Sequence, residues 1–218
     1  VNVSLLSGSD KTRFYWNTGF ENQQGIIRTT KFMRVTSRLN IDHSFNDRIT
    51  VGTKLNLSYG QQKNIDEEIE RNLVGQTLSK PSFSEIYEID GAYLDNTRNY
   101  RGEPNALREY DLMDIMKSNL GGNIFNYAEI RLLKDLKYRA NIGVEFNSYR
   151  NSWFFPEYVF AKDDIVRSSF QSSLGWNWIH ESFFNYDKTF GSHKISGVAG
   201  FSAQKWNNPE ERISAILA

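Results

Sequence analysis

Met33-Arg34-Val35-Thr36-Ser37-Arg38-Leu39-Asn40-Ile41-Asp42-His43-Ser44-Phe45 is the stretch on which the fold turns. Its odd positions read Met, Val, Ser, Leu, Ile, His, Phe, and its even positions read Arg, Thr, Arg, Asn, Asp, Ser. Successive side chains of an extended strand point to opposite faces, so this is a strand with one apolar and one charged face. After a short Asn46-Asp47-Arg48 turn, Ile49, Val51, Thr53, Leu55, Leu57 and Tyr59 alternate with Thr50, Gly52, Lys54, Asn56, Ser58 and Gly60. Two alternating runs across a tight turn predict an antiparallel hairpin.

The pattern recurs at Leu136, Tyr138, Ala140, Ile142, Val144 and Phe146 against Lys137, Arg139, Asn141, Gly143, Glu145 and Asn147. It recurs again at Ile195, Gly197, Ala199, Phe201 and Ala203, and weaker strands fit around 1–8, 13–23, 123–134 and 172–190. The prediction is an all-β antiparallel up-and-down meander of about eight strands. Many are longer than the roughly 5–6 residues of a soluble strand and as long as the roughly 9–11 that cross a bilayer at a tilt. Tight connections fall at Ser9-Asp10-Lys11, Asn46-Asp47-Arg48, Lys134-Asp135 and Gly191-Ser192-His193. Between them lie a medium loop around Gln24-Gly25-Ile26-Ile27-Arg28 and long loops over about 62–119 and 150–171. Short turns at one end and long loops at the other characterise outer-membrane barrels, with an apolar outer face and a polar lumen. A soluble β-sandwich acting as a carbohydrate-binding or adhesive domain would also alternate, and stays open as the rival reading. Within the first long loop, short helices are expected over 66–74 and 105–116.

Composition supports a chain at a boundary. Aromatic residues make up 14% of it, yet mean hydropathy is −0.57, so much of the apolar weight sits in rings that tolerate a water interface. No apolar run is long enough for a membrane-spanning helix. Lysine and arginine total 26 against 26 acids, leaving no cationic excess to hold a nucleic-acid backbone. Cysteine is absent, which excludes disulfides, thiolate zinc sites and thiol nucleophiles.

Chemistry has little to work with. His43, His180 and His193 lack the i, i+4 spacing of a metal site, and no nucleophile elbow or phosphate loop is present. No enzyme activity, metal or cofactor is expected. Asp90-Gly91-Ala92-Tyr93-Leu94-Asp95-Asn96 lacks the order of a calcium loop and reads as a turn. Trp153, Phe154, Phe155 and Tyr158 crowd the second long loop, and Tyr93 and Tyr100 lie in the first. Exposed rings there suit contact with a ligand or partner, or packing against a barrel rim. Phe14, Trp16, Tyr59, Trp176, Trp178, Tyr186 and Phe190 fit aromatic girdles on the outer face, while Arg34, Arg38, Lys54, Lys137, Arg139 and Glu145 would point into a wet lumen.

Several stretches are familiar together. Leu5-Leu6-Ser7-Gly8-Ser9-Asp10-Lys11-Thr12-Arg13-Phe14-Tyr15, Gly19-Phe20, Gln24-Gly25-Ile26-Ile27, Arg34 and Arg38-Leu39-Asn40-Ile41-Asp42 resemble the early barrel of SusC/RagA-type TonB-linked outer-membrane proteins. Pro81 with Tyr87-Glu88-Ile89-Asp90-Gly91-Ala92-Tyr93 is similar to that family's first long loop. Gly122-Asn123, Tyr127-Ala128-Glu129-Ile130 and Asp135-Leu136-Lys137-Tyr138-Arg139-Ala140-Asn141 are similar to the family as well. So is Phe184-Asn185-Tyr186-Asp187-Lys188-Thr189-Phe190-Gly191-Ser192-His193-Lys194 with Ala199-Gly200-Phe201. One departure is Pro104-Asn105, where the family usually carries Asn-Pro.

The resemblance implies part of a plugged transporter barrel of about 22 strands in a Gram-negative outer membrane. It further implies TonB-driven import of oligosaccharide or peptide ligands, with a SusD-like surface lipoprotein as lid and outer-membrane lipid around the wall. Nothing here matches a signal, plug or TonB box, so 1–218 is expected to be a partial barrel. Its two sheet edges would then need cover from another chain or a symmetry mate.

Overall fold

In the computed structural model, residues 1–27, 29–63, 81–83, 85–94, 105–155, 166–207 and 210–217 are described. Nine strands form one antiparallel sheet: β1 (Asn2–Gly8), β2 (Thr12–Gln24), β3 (Lys31–Ser44), β4 (Ile49–Lys63), β5 (Asp114–Leu133), β6 (Leu136–Phe155), β7 (Val166–Phe190), β8 (His193–Asn207) and β9 (Glu210–Leu217). The order follows the chain from β1 to β8, and β9 pairs with β7. Trp176 opposes Asn207 and Ser173 opposes Glu210, so β8 and β9 lie end to end along one edge of β7 in a single register. The sheet is thus an eight-position meander, as the alternation predicts.

Every tight turn lies at the same end of the sheet. Asn46 Oδ1 accepts the backbone N–H groups of Arg48 and Ile49 at 2.9 and 3.0 Å, closing the turn between β3 and β4. The two-residue turn after β7 has Gly191 at φ +60°, a left-handed conformation that glycine adopts without a Cβ penalty. Neighbouring turns are also joined: Ser44 donates to the Lys11 carbonyl, Arg131 to that of Arg48 and Asp187 to that of Asp135, at 2.7–2.9 Å.

Register carries the alternation across the sheet. One row on the apolar face runs Leu5, Trp16, Leu39, Leu55, Ile124, Val144, Trp178, each residue directly opposite the next. This face is uncovered: Ile142 is 51% and Val144 39% exposed, and substantial contact occurs only between strands that are neighbours in the sheet. A sandwich needs a second sheet over these residues, and none is present among the described residues. The apolar side chains that are buried, Leu94, Met113, Ile115 and Phe155, sit at the loop end instead.

The height of the apolar rows can be read from β4. From Ile49 to Tyr59 the strand rises about 34 Å, and a barrel-like tilt of roughly 40° turns this into about 26 Å of height. Outer-membrane barrels carry an apolar band of about 25 Å. Above Tyr59 the same face becomes polar, through Gln61, Ser118, Arg150 and Ser172. Phe20, Tyr59 and Trp176 mark the upper margin of the band, and Tyr138, Phe184, Tyr186 and Phe190 the lower. Phe14, Trp16 and Trp178 share the face but lie within the band rather than at a margin.

Several polar groups inside the band pair with one another, although Lys205, opposite Trp178 on the same face, has no such partner among the described residues. Thr53 Oγ1 donates to Asn126 Oδ1 at 2.9 Å, Thr12 Oγ1 and His43 Nδ1 share a 2.8 Å hydrogen bond, and Ser182 Oγ joins Tyr138 to His180 at 3.1 and 2.9 Å. Unpaired, such groups would be costly in hydrocarbon.

Two expectations are corrected in extent. β5 begins at Asp114 and β7 at Val166, and β6 continues to Phe155, so strands occupy the ends of the loop expected over 62–119 and more than half of the one expected over 150–171. Pairing continues past the band, where polar and apolar residues are mixed on both faces and alternation no longer marks a strand. The helix expected over 105–116 is the shorter α1 (Ala106–Leu112), because Asp114, Ile115 and Met116 pair into β5. The helix expected over 66–74 lies outside the described residues.

In the full-length protein refolded into lipid vesicles, Ile142→Arg should lower stability by about 2–4 kcal/mol in guanidinium unfolding. Asn147→Arg, exposed on the other face, should change it by less than about 0.5 kcal/mol.

Candidate functional site

The face opposite the apolar band is a grid of hydrogen-bonding side chains set by register. Ser4, Asn17, Arg38, Asn56, Asn123, Glu145 and Asn177 stand opposite one another in turn from β1 to β7. Asn17 Nδ2 donates to Ser4 Oγ at 2.8 Å, Arg38 Nε to Asn56 Oδ1 at 2.8 Å, Asn56 Nδ2 to Asn123 Oδ1 at 2.7 Å and Asn177 Nδ2 to Glu145 Oε2 at 3.3 Å. An amide both donates and accepts, so asparagines can pass a hydrogen bond from strand to strand.

Nearer the tight turns the grid closes into a charged cluster. Glu129 bridges Lys137 Nζ at 3.3 Å and Arg139 Nη1 at 3.6 Å. Arg139 Nε donates to Asn141 Oδ1 at 3.1 Å, and Asn141, only 6% exposed, donates to Glu181 Oε2 at 3.1 Å. The Arg139 guanidinium lies over the Tyr127 ring, 4.1 Å from its centroid, a cation–π contact. Tyr127 reaches across Gly52 to donate to Asp42 Oδ1 at 2.7 Å. Gly52 stands between Asp42 and Tyr127 in the register, and a Cβ there would collide with the Tyr127 ring.

At the loop end a small hairpin covers 86–94. Leu94 N–H donates to the Ile86 carbonyl at 2.9 Å, Tyr87 and Tyr93 pair and stack at 5.3 Å, and Gly91 turns the chain at φ +86°. Asp90 Oδ1 accepts the Ala92 N–H at 3.0 Å, which is the turn expected of that stretch. Asn105, 3% exposed, ties this hairpin to α1. Its Nδ2 donates to the Ile86 and Leu94 carbonyls at 2.8 and 3.3 Å, and its Oδ1 accepts the Arg108 N–H at 3.4 Å as a helix cap. The Tyr93 hydroxyl donates to Asp111.

The candidate residues distribute by register. Arg34, Arg38, Lys54, Lys137, Arg139 and Glu145 all fall on the polar face. Trp153 and Phe155 share that face at the top of β6, with ring centroids 5.1 Å apart and Phe155 only 4% exposed. Phe154 projects from the opposite face and is exposed. These three rings are therefore on a strand, not in a loop. Tyr100 and Tyr158 lie outside the described residues.

No family model matches the chain. Among curated proteins it is 32% identical to TonB-dependent receptor P39 of Formosa agariphila over 219 residues, covering 99% of this chain and 20% of that protein. It is 22% identical to TonB-dependent receptor SusC of Bacteroides thetaiotaomicron over 94% of this chain and 22% of that one. Among solved structures, the RagAB peptide transporter matches with TM-score 0.79 at 18% identity, covering 100% of this chain and 25% of that one. The RagAB peptide importer in its closed-closed state gives TM-score 0.78 at 19% identity. The resemblance to SusC/RagA-type TonB-linked proteins holds.

The chain spans about one fifth of the length of the curated relatives it matches, and its meander has the fold of about one quarter of the solved transporter chains. In that setting two features escape a reading for motifs. The asparagine row is visible only once register aligns Asn17, Asn56, Asn123 and Asn177. The Asp42–Gly52–Tyr127 contact has one sequence signal, a glycine inside an otherwise regular alternating strand.

Tyr127→Phe should cost about 1 kcal/mol in the same unfolding assay. Gly52→Val, which displaces the ring, should cost about 1–3 kcal/mol. In a double-mutant cycle Asp42→Asn should couple to Tyr127→Phe and not to Asn123→Ala.

Proposed function

We infer that this chain is a section of the wall of an outer-membrane, TonB-dependent nutrient importer, whose polar face lines the lumen and whose apolar face meets lipid. The observation that carries the reading is the uncovered apolar band, with a height of about 26 Å from strand rise and tilt and aromatic residues at both margins. A sheet edge in hydrocarbon must have its N–H and C=O groups paired. The outer edges of β1 and of β8 with β9 have no partner among the described residues, so further strands of the same barrel pair with them. On this reading Arg34, Arg38, Lys54, Lys137, Arg139 and Glu145 face water in the lumen.

The tight turns face the periplasm, and the end carrying Tyr87, Tyr93, Trp153 and α1 is extracellular. At 25 residues β7 is far longer than a bilayer crossing requires, which raises this rim above the membrane, where a SusD-like lipoprotein would sit. Tyr93 and Trp153 are the described rings placed to touch a glycan or peptide ligand, or that partner. Tyr100 and Tyr158 belong to the same proposal by sequence. Phe155 packs, and Phe154 faces outward. Such a wall acts by contact and exclusion, not by catalysis.

Uptake of labelled oligomers by cells expressing the full-length protein tests the reading. Import should require TonB and cease when TonB is deleted; uptake that persists without TonB contradicts it. Trp153→Ala should weaken binding of the imported ligand or of the lipoprotein several-fold, while Phe154→Ala leaves both unchanged.

A further inference from the structure

We propose that the polar face holds an anion-binding subsite between Arg34 and Lys117, which takes the carboxylates of an acidic oligomeric ligand. The proposal rests on the importer reading above, because it needs this face open to the lumen.

The site is a concavity of about 320 Å³ lined by Arg34, Lys117, Ser58, Gln62, Asn119 and Tyr149 around Gly60. Register defines its shape. Arg34 is opposite Gly60, Gly60 is opposite Asn119, and Lys117 stands one row higher, opposite Gln62. Gly60 thus leaves a gap between the two cations. Packing within the chain does not demand that glycine: a Cβ there would meet nothing nearer than the Met33 carbonyl oxygen, at 4.0 Å. At Gly52, by contrast, the vacant space is filled by Tyr127. The gap at Gly60 is open among the described residues.

Charge indicates what enters it. Near the tight turns, Lys137 and Arg139 are neutralised by Glu129. Arg34 and Lys117 have no acid within ion-pair distance among the described residues. Glu21 is opposite Arg34 in the register, but its carboxylate accepts the Gln23 amide at 2.5 Å. Two cations that form no ion pair among the described residues flank a floor of neutral donors: the Ser58 hydroxyl and the Asn119 and Gln62 amides. A guanidinium fork suits a carboxylate, an ammonium adds a second charge, and the neutral donors can hold its remaining lone pairs. The subsite lies at the height where the opposite face changes from Tyr59 and Leu120 to Gln61 and Ser118, so it sits at the mouth rather than deep within the band.

A carboxylate could belong to a uronic-acid oligosaccharide or to an acidic peptide, and matched probes separate the two. Binding to the full-length protein in detergent is measured by calorimetry for hexagalacturonate against its methyl ester, and for hexaglutamate against hexaglutamine. The wild type should bind the acidic member of one pair roughly tenfold tighter at low salt, the size of effect expected of a charge-assisted hydrogen bond, and added salt should reduce the preference. Arg34→Gln with Lys117→Gln should abolish that preference. Asn119→Asp, which places an acid between the cations, should abolish it too, and Lys137→Gln should not. A wild type with no preference in either pair overturns the proposal, as does a preference that survives both Arg34→Gln with Lys117→Gln and Asn119→Asp. TonB-dependent import without charge preference would leave the importer standing and remove only this subsite.

Discussion

The backbone ladder between neighbouring strands is the constraint from which the rest of this sheet follows. In hydrocarbon no water is available to an N–H or C=O group, so each strand must be fully paired with its neighbours. Pairing fixes register, and register with a side-chain period of two fixes which residues share a face. A slip of one residue in β4 would turn Leu55 and Leu57 to the polar side and bring Lys54 and Asn56 into the apolar band. The joined turns at one end of the sheet, and Asn46 within its turn, hold the register that separates these faces.

The two faces manage polar groups differently. On the apolar side several polar residues form closed pairs, as with Thr53 and Asn126 or Tyr138, Ser182 and His180. On the polar side they form extended rows, and near the tight turns charges are balanced around Glu129. Towards the loop end, Arg34 and Lys117 form no ion pair among the described residues and flank the small floor residues Ser58 and Gly60. That gradient, from a neutralised lower cluster to an open upper groove, is what suits one part of the wall to rigidity and the other to contact.

The fold was legible because the band imposes alternation on Met33 to Tyr59 and again on Leu136 to Phe146. Legibility ended where the physical pressure ended. Beyond the band polar and aromatic residues fall on both faces of β6 and β7, so Arg150 to Phe155 and Val166 to Gln171 resemble loop in sequence although they are paired strand. The polar face could be assigned residue by residue, since Arg34, Arg38 and Lys54 occupy alternate positions. Its organisation could not, because Asn17, Asn56, Asn123 and Asn177 are far apart in sequence and become one row only through register. The loop rings divided for the same reason: Phe154 and Phe155 are adjacent in sequence and therefore on opposite faces.

The central claim is that one face meets lipid and the other meets water. Spin labels placed singly from residue 49 to 61 of β4, in the full-length protein in lipid vesicles, test it most directly through collisions with oxygen and with a water-soluble nickel chelate. The account predicts period-two alternation, with oxygen favoured at 51, 53, 55 and 57 and nickel at 50, 54, 56 and 58. Odd positions shielded from both reagents, as under a second sheet, would contradict it.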